Sequence, residues 1–169
     1  VRNDGRVWCW GYNEFGALGD ASVEYRLAPV QTLMTAAREV AAGAHTCAVK
    51  QDVSVWCWGY NANGQLGDGT TSTRSLPVLV EGLPGNATRV SCGVNQFSCA
   101  IANASVWCWG YNNYGQLGDG STSNRNTPVA AVSLPGSAEE LAAGSWSQCA
   151  LMSDGSVCLL YTSPSPRDR

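Results

Sequence analysis

The chain has 169 residues, 44% of them hydrophobic and 14% charged, with a formal net charge of −3. That length suits one ordinary domain, and an acidic balance with a single lysine, Lys50, excludes a basic nucleic-acid-binding surface. No apolar stretch approaches the ~20 residues of a membrane-spanning helix, so no membrane span is expected.

Eight cysteines point to disulfides in an oxidising compartment, or to metal or redox chemistry in a reducing one. No signal peptide is visible. The chain opens part-way through a repeat and reads as a fragment.

That repeat begins at Val7 with "VWCWGYNEFGALGD" and returns from Val55 and Val106, at spacings of 48 and 51 residues. The units are 7–54, 55–105 and 106–156. In each, Gly-x-Leu-Gly-Asp follows Trp-Cys-Trp-Gly-Tyr-Asn, and an Arg stands six residues beyond the Asp. The resulting pairs are Asp20 and Arg26, Asp68 and Arg74, Asp119 and Arg125. Arg suits a bidentate carboxylate bond, so each pair is expected to pin the long loop to its sheet.

Pro29, Pro77 and Pro128 come next, then short apolar runs at 39–42, 89–92 and 140–143. Cys47, Cys99 and Cys149 each open another strand. "CAVKQDVSVWCWG" and "CAIANASVWCWG" are apolar runs broken by a tight polar turn, which predicts β-hairpins. No segment keeps a helical period. About four short strands per unit, repeated every ~40–50 residues, predict an all-β chain of propeller blades.

"WGYNANGQLGDGTTSTRSLPV" from Trp58 and "WGYNNYGQLGDGSTSNRNTPV" from Trp109 resemble the RCC1-type repeat, named for the regulator of chromosome condensation. The copy from Trp10 is looser, with Ala17 and Ala21 replacing Gln and Gly. The resemblance covers residues 1–157 and implies four-stranded blades of a propeller that is normally seven-bladed, of which about three are here. After Val157 the repeat calls for Trp-Cys-Trp-Gly, and "CLLYTSPSPRDR" stands instead. Residues 158–169 read as a cloning or adapter scar.

Within each strand the two Trp are two apart and face the same side. Trp8 with Trp10, Trp56 with Trp58, and Trp107 with Trp109 are therefore expected to pack between blades. Some plant members of the family sense ultraviolet light through Trp in a Gly-Trp-Arg-His-Thr motif. The corresponding loops here read "GAHTC", "GVNQFSC" and "GSWSQC", without it.

The intervening Cys points the other way. Cys57 lies ten residues after Cys47, and Cys108 nine after Cys99, and a tight turn would set each pair directly opposite. This spacing predicts one disulfide per blade, with reduced core thiols or a metal site as the alternatives. No Cys-x₂-Cys occurs and His45 is the only histidine, so no metal site and no catalytic triad is expected. Cys9 and Cys149 would have partners outside the chain, and Cys92 reads as a small buried residue.

"GDGTT" lacks the Lys of a phosphate loop, and "NANGQLGDG" lacks the Gly and Glu of an EF-hand. No cofactor is expected. Asn86 and Asn103 open N-x-Thr/Ser triplets and are candidate glycosylation sites.

The functional expectation is a non-enzymatic scaffold that binds another protein, extracellular or on a cell-surface ectodomain. Contacts are expected where the units differ: Glu14 and Phe15, Ala62 and Asn63, Asn113 and Tyr114, and the segments 32–38, 81–88 and 132–139. The resemblance also implies two alternatives with a cytoplasmic or nuclear location. One is a guanine-nucleotide exchange factor for a Ran-like GTPase; the other is an accessory region of a larger enzyme.

Overall fold

A computed structural model of the chain describes residues 4–160. Within them lie thirteen strands and no helix, hence no helix long and apolar enough to cross a membrane. The first sheet pairs β1 (Trp8–Gly11) with β2 (Arg26–Gln31). The second is β3 (Ala37–Ala42), β4 (His45–Lys50), β5 (Val55–Gly59) and β6 (Arg74–Leu79). The third is β7 (Ala87–Gly93), β8 (Phe97–Ala102), β9 (Ser105–Gly110) and β10 (Arg125–Ala130). The fourth is β11 (Ala138–Ala143), β12 (Gln148–Met152) and β13 (Val157–Leu160). All pairings are antiparallel and follow chain order. This is a partial propeller of up-and-down sheets. In the two four-stranded sheets the Trp-Cys-Trp strand, β5 or β9, is third, so each repeat unit straddles two sheets.

The turns fix the register. Asn103 and Ala104 take φ values of 49° and 61°, the two left-handed positions of a tight hairpin turn. Ala102 therefore faces Ser105, and Cys99 faces Cys108. In the second sheet, Cys47 faces Cys57 across a loop one residue longer. The structure joins Cys47 to Cys57 and Cys99 to Cys108. Cys9, Cys92, Cys149 and Cys158 are free thiols.

Three apolar clusters fill the spaces between sheets. Trp58 packs with Val7, Met34, Ala37 and Ala48, between the first and second sheets. Trp109 packs with Leu66, Val80, Val90 and Ala100, between the second and third. The disulfides point to the opposite face: Cys47 and Cys57 join the cluster holding Trp109, and Cys99 and Cys108 the next one. Each inner sheet thus sets a Trp against its predecessor and a disulfide against its successor.

The six Trp expected to pack between blades differ in how far they are enclosed, with Trp56 and Trp107 packed against the inter-sheet clusters from their rims. Trp58 and Trp109 are fully enclosed, whereas Trp56 and Trp107 are half-buried. Trp8 and Trp10 are 37% and 62% exposed, because no described sheet lies against their face. In the two enclosed cases the indole Nε1 donates to a loop carbonyl of the preceding repeat. Trp58 reaches Ala17 O and Trp109 reaches Gln65 O, both at 2.9 Å.

The expected end of the repeat at residue 157 falls at the start of β13. Residues 158–160 continue β13 in register, with Leu160 buried over Gly118 in the place that Trp58 and Trp109 hold over Gly19 and Gly67. Cys158 faces Ala150, and Leu159 faces Cys149, so Cys158 is one residue out of register for a disulfide. The rest of the expected scar, 161–169, lies outside the described residues.

Candidate functional site

The loop after each Trp-Cys-Trp-Gly is built the same way three times. The Asn of Trp-Gly-Tyr-Asn is fully buried and staples the loop from within. Asn61 Oδ1 accepts from Leu66 N at 2.9 Å, while Nδ2 donates to Thr70 O and Ser72 O at 3.2 and 3.0 Å. Asn13 and Asn112 make the matching bonds.

Asp20, Asp68 and Asp119 face Arg26, Arg74 and Arg125 at 2.9, 3.4 and 2.8 Å. Burial pushes these carboxyls up. Hydrogen bonds from the Ser or Thr two residues on, and from the Arg, outweigh it and hold them below the ordinary value. The loops are therefore held rigidly, and what they carry outward is held with them.

They carry aromatic rings. Tyr12, Tyr60 and Tyr111 recur at one end of the sheets, and the variable positions beside them add more. Tyr12 stacks on Tyr25 at 5.1 Å, and Phe15 packs on Tyr60 at 4.6 Å. Farther along, Tyr111 and Tyr114 surround Trp146 at 6.0 and 4.9 Å. Amides lie between the two groups: Asn63 bonds Gln96, and Asn124 donates to Asn63 Oδ1 at 3.0 Å. Tyr12, Tyr25, Tyr114 and Trp146 are all about half-exposed or more.

The other expected contact segments, 32–38, 81–88 and 132–139, lie at the opposite end with the hairpin tips. Gln51 N bonds Ala36 O, Ala87 N bonds Val53 O, and Ala138 N bonds Ala104 O. Asn86 and Asn103 share that end, are exposed, and bond each other at 3.1 Å. The sequence period gave no sign that the variable positions fall into two opposite groups.

His45 opens β4, is fully buried, and its Nε2 meets Ser98 Oγ at 2.7 Å. Desolvation pushes its ring down to about 4. The folded chain keeps the ring neutral, while an unfolded chain takes up a proton below about 6.5. Stability is therefore full above about 6.5 and falls as pH drops towards 4, by on the order of 3 kcal/mol. His45→Phe, which copies Phe97 in the next sheet, is expected to remove that part of the slope in denaturant titrations. An unchanged slope would refute the assignment.

The family model for the regulator of chromosome condensation (RCC1) repeat matches residues 4–49, 53–101 and 103–151, and a second model for that repeat matches 38–65. The chain belongs to the RCC1 repeat family. It is 32% identical over 163 residues to the ultraviolet-B receptor UVR8 of Arabidopsis thaliana, covering 93% of this chain and 37% of that protein. It is also 37% identical over 71 residues to the E3 ubiquitin-protein ligase MYCBP2 of Danio rerio, covering 42% of this chain and 2% of the ligase. The chain thus spans well under half of either relative.

Among solved structures, human WBSCR16 superposes with a TM-score of 0.78 at 24% identity, over 90% of this chain and 41% of that one. Prp20p of Saccharomyces cerevisiae, whose structure was described with its binding to Gsp1p and histones, gives 0.77 at 21%, over 96% and 42%. These structural likenesses establish the fold.

Proposed function

We propose that this chain is part of a non-enzymatic propeller that binds another protein through the loop end bearing Tyr12, Phe15, Tyr60, Tyr111, Tyr114 and Trp146. The carrying observation is that rigidly stapled loops hold a recurring Tyr there, joined by partly or fully exposed rings at positions that vary between repeats, Phe15, Tyr114 and Trp146. Exposed aromatic clusters are the usual anchors of protein interfaces, because they bring large contact area at low entropic cost.

The compartment is extracellular or a cell-surface ectodomain, with the disulfides contributing to stability. The paired cysteines support this, as does the placement of Asn86 and Asn103 at the opposite end, where glycans leave the aromatic end clear. A photo-crosslinking residue at position 114 is expected to capture a partner that one at position 154, on the opposite end, does not. Tyr114→Ala with Trp146→Ala should weaken that partner by about 2 kcal/mol or more. Crosslinks confined to position 154 would move the interface to the other end.

The second reading is exchange activity on a Ran-like GTPase, favoured by the likeness to Prp20p. Faster nucleotide release from such a GTPase on adding the chain's full-length parent would establish it. The match to part of a ubiquitin ligase supports an accessory role in a larger enzyme by the same kind of likeness.

A further inference from the structure

The space between the second and third sheets holds chemistry that neither scaffold nor exchange factor uses. A ligating atom each from His45, Cys47 and Cys92 lie within 4.8 Å of one another. The His45 ring is fully enclosed, and its Nδ1 has no hydrogen-bond partner. The Cys92 sulfur bonds Ala41 O across the sheet boundary at 3.4 Å. Cys57, bonded to Cys47, lies outside that mutual distance but adjoins the cluster through its bridge.

We infer that this cluster is a soft-metal site that exists only when the Cys47–Cys57 disulfide is reduced, with His45, Cys47, Cys57 and Cys92 as its four ligands. Three thiolates and one imidazole around a zinc-class ion form a closed, four-coordinate structural set. Such ions take sulfur at about 2.3 Å and nitrogen at about 2.0 Å, so ligand atoms end roughly 3.5 Å apart. The spread of up to 4.8 Å among His45, Cys47 and Cys92 then closes by roughly 1.3 Å, and Cys57 swings in from its bridged position once the disulfide opens.

The chemistry balances. A dithiol or phosphine reductant supplies two electrons, two protons enter, and the bridge becomes two thiols. The ion then displaces one proton from each of the three thiols. In the oxidised chain neither Cys47 nor Cys57 has a thiolate to offer, so bridge and ion exclude each other.

The repeats argue that the fold does not itself need these residues. Where the second sheet has His45, the third has Phe97 and the fourth has Ser147. Where the third sheet has Cys92, the others have Ala42 and Ala143. The backbone accepts other side chains at both positions, and the combination of His, two bridged Cys and a third Cys occurs at one boundary alone among the described residues. Ser98 sits among the ligands, with Oγ 3.7 Å from Cys47 Sγ.

The test is a cobalt(II) titration of the whole chain in a phosphine reductant. One equivalent is expected to bind, with thiolate charge-transfer and tetrahedral ligand-field absorption that zinc abolishes. The oxidised chain should show neither band. Cys92→Ala and His45→Phe, both copied from neighbouring repeats, should each weaken binding by more than about tenfold. Cys99→Ala with Cys108→Ala should leave it intact. A reduced chain that takes up no cobalt, folded or not, overturns the site. So does equal binding by the oxidised chain, or by Cys92→Ala. None of these outcomes bears on the aromatic interface, whose crosslinks are read separately.

Discussion

Replacing Trp109 by Ala is expected to cost about 3–5 kcal/mol, the range for removing a large enclosed aromatic. Trp109 is fully buried in the cluster that joins the second sheet to the third. Its loss opens a cavity against Leu66, Val80 and Val90, and rigid neighbours on two sheets cannot collapse into it. The carbonyl of Gln65 is not left bare, because Ser98 Oγ also donates to it at 2.9 Å. The cost is therefore one of packing, and Trp109→Phe should recover part of it.

Gly67 makes an independent test of the same contact. It has φ +69°, and an added Cβ would fall 2.8 Å from Trp109 Nε1, so Gly67→Ala combines backbone strain with a clash. Trp10→Ala is the control: 62% exposed, it should change stability by no more than about 0.5–1 kcal/mol. Equal losses at Trp109 and Trp10, measured by denaturant unfolding, would refute the packing account.

The two Trp of a strand look alike in sequence, and period-2 alternation puts both on one face. It says nothing about which of them meets the loop of the preceding repeat. That loop is decided by Gly67 and by the staple at Asn61, residues whose letters read only as turn formers. The Cys pairs were more legible, since hairpin register follows from turn length and places Cys99 opposite Cys108 without any long-range information.

His45 and Cys92 were not legible as neighbours. They are 47 residues apart on β4 and β7, and only the packing of one sheet on the next brings them together. Likewise, the path from β6 to β7 decides that residues 81–88 lie far from Tyr60, and no local pattern encodes that path.

Removing both disulfides, by Cys47→Ala, Cys57→Ala, Cys99→Ala and Cys108→Ala together, is expected to cost about 5 kcal/mol. The bridges close loops of 10 and 9 residues, and the chain-entropy relation gives about 2.5 kcal/mol for each. The two bridges belong to different clusters, one beyond the second sheet and one beyond the third, so their effects should add. A domain of this kind has ~5–15 kcal/mol in all, so the variant should be largely unfolded at body temperature. The same argument makes the redox state of the compartment a structural variable. Chain produced in an oxidising compartment should show both bridges by peptide mapping and unfold at distinctly higher denaturant than chain kept in reductant. If the four-alanine variant is as stable as its parent, the cysteines act as small core side chains. The case for an extracellular protein would then lose its main support, and the nuclear or cytoplasmic readings would gain it.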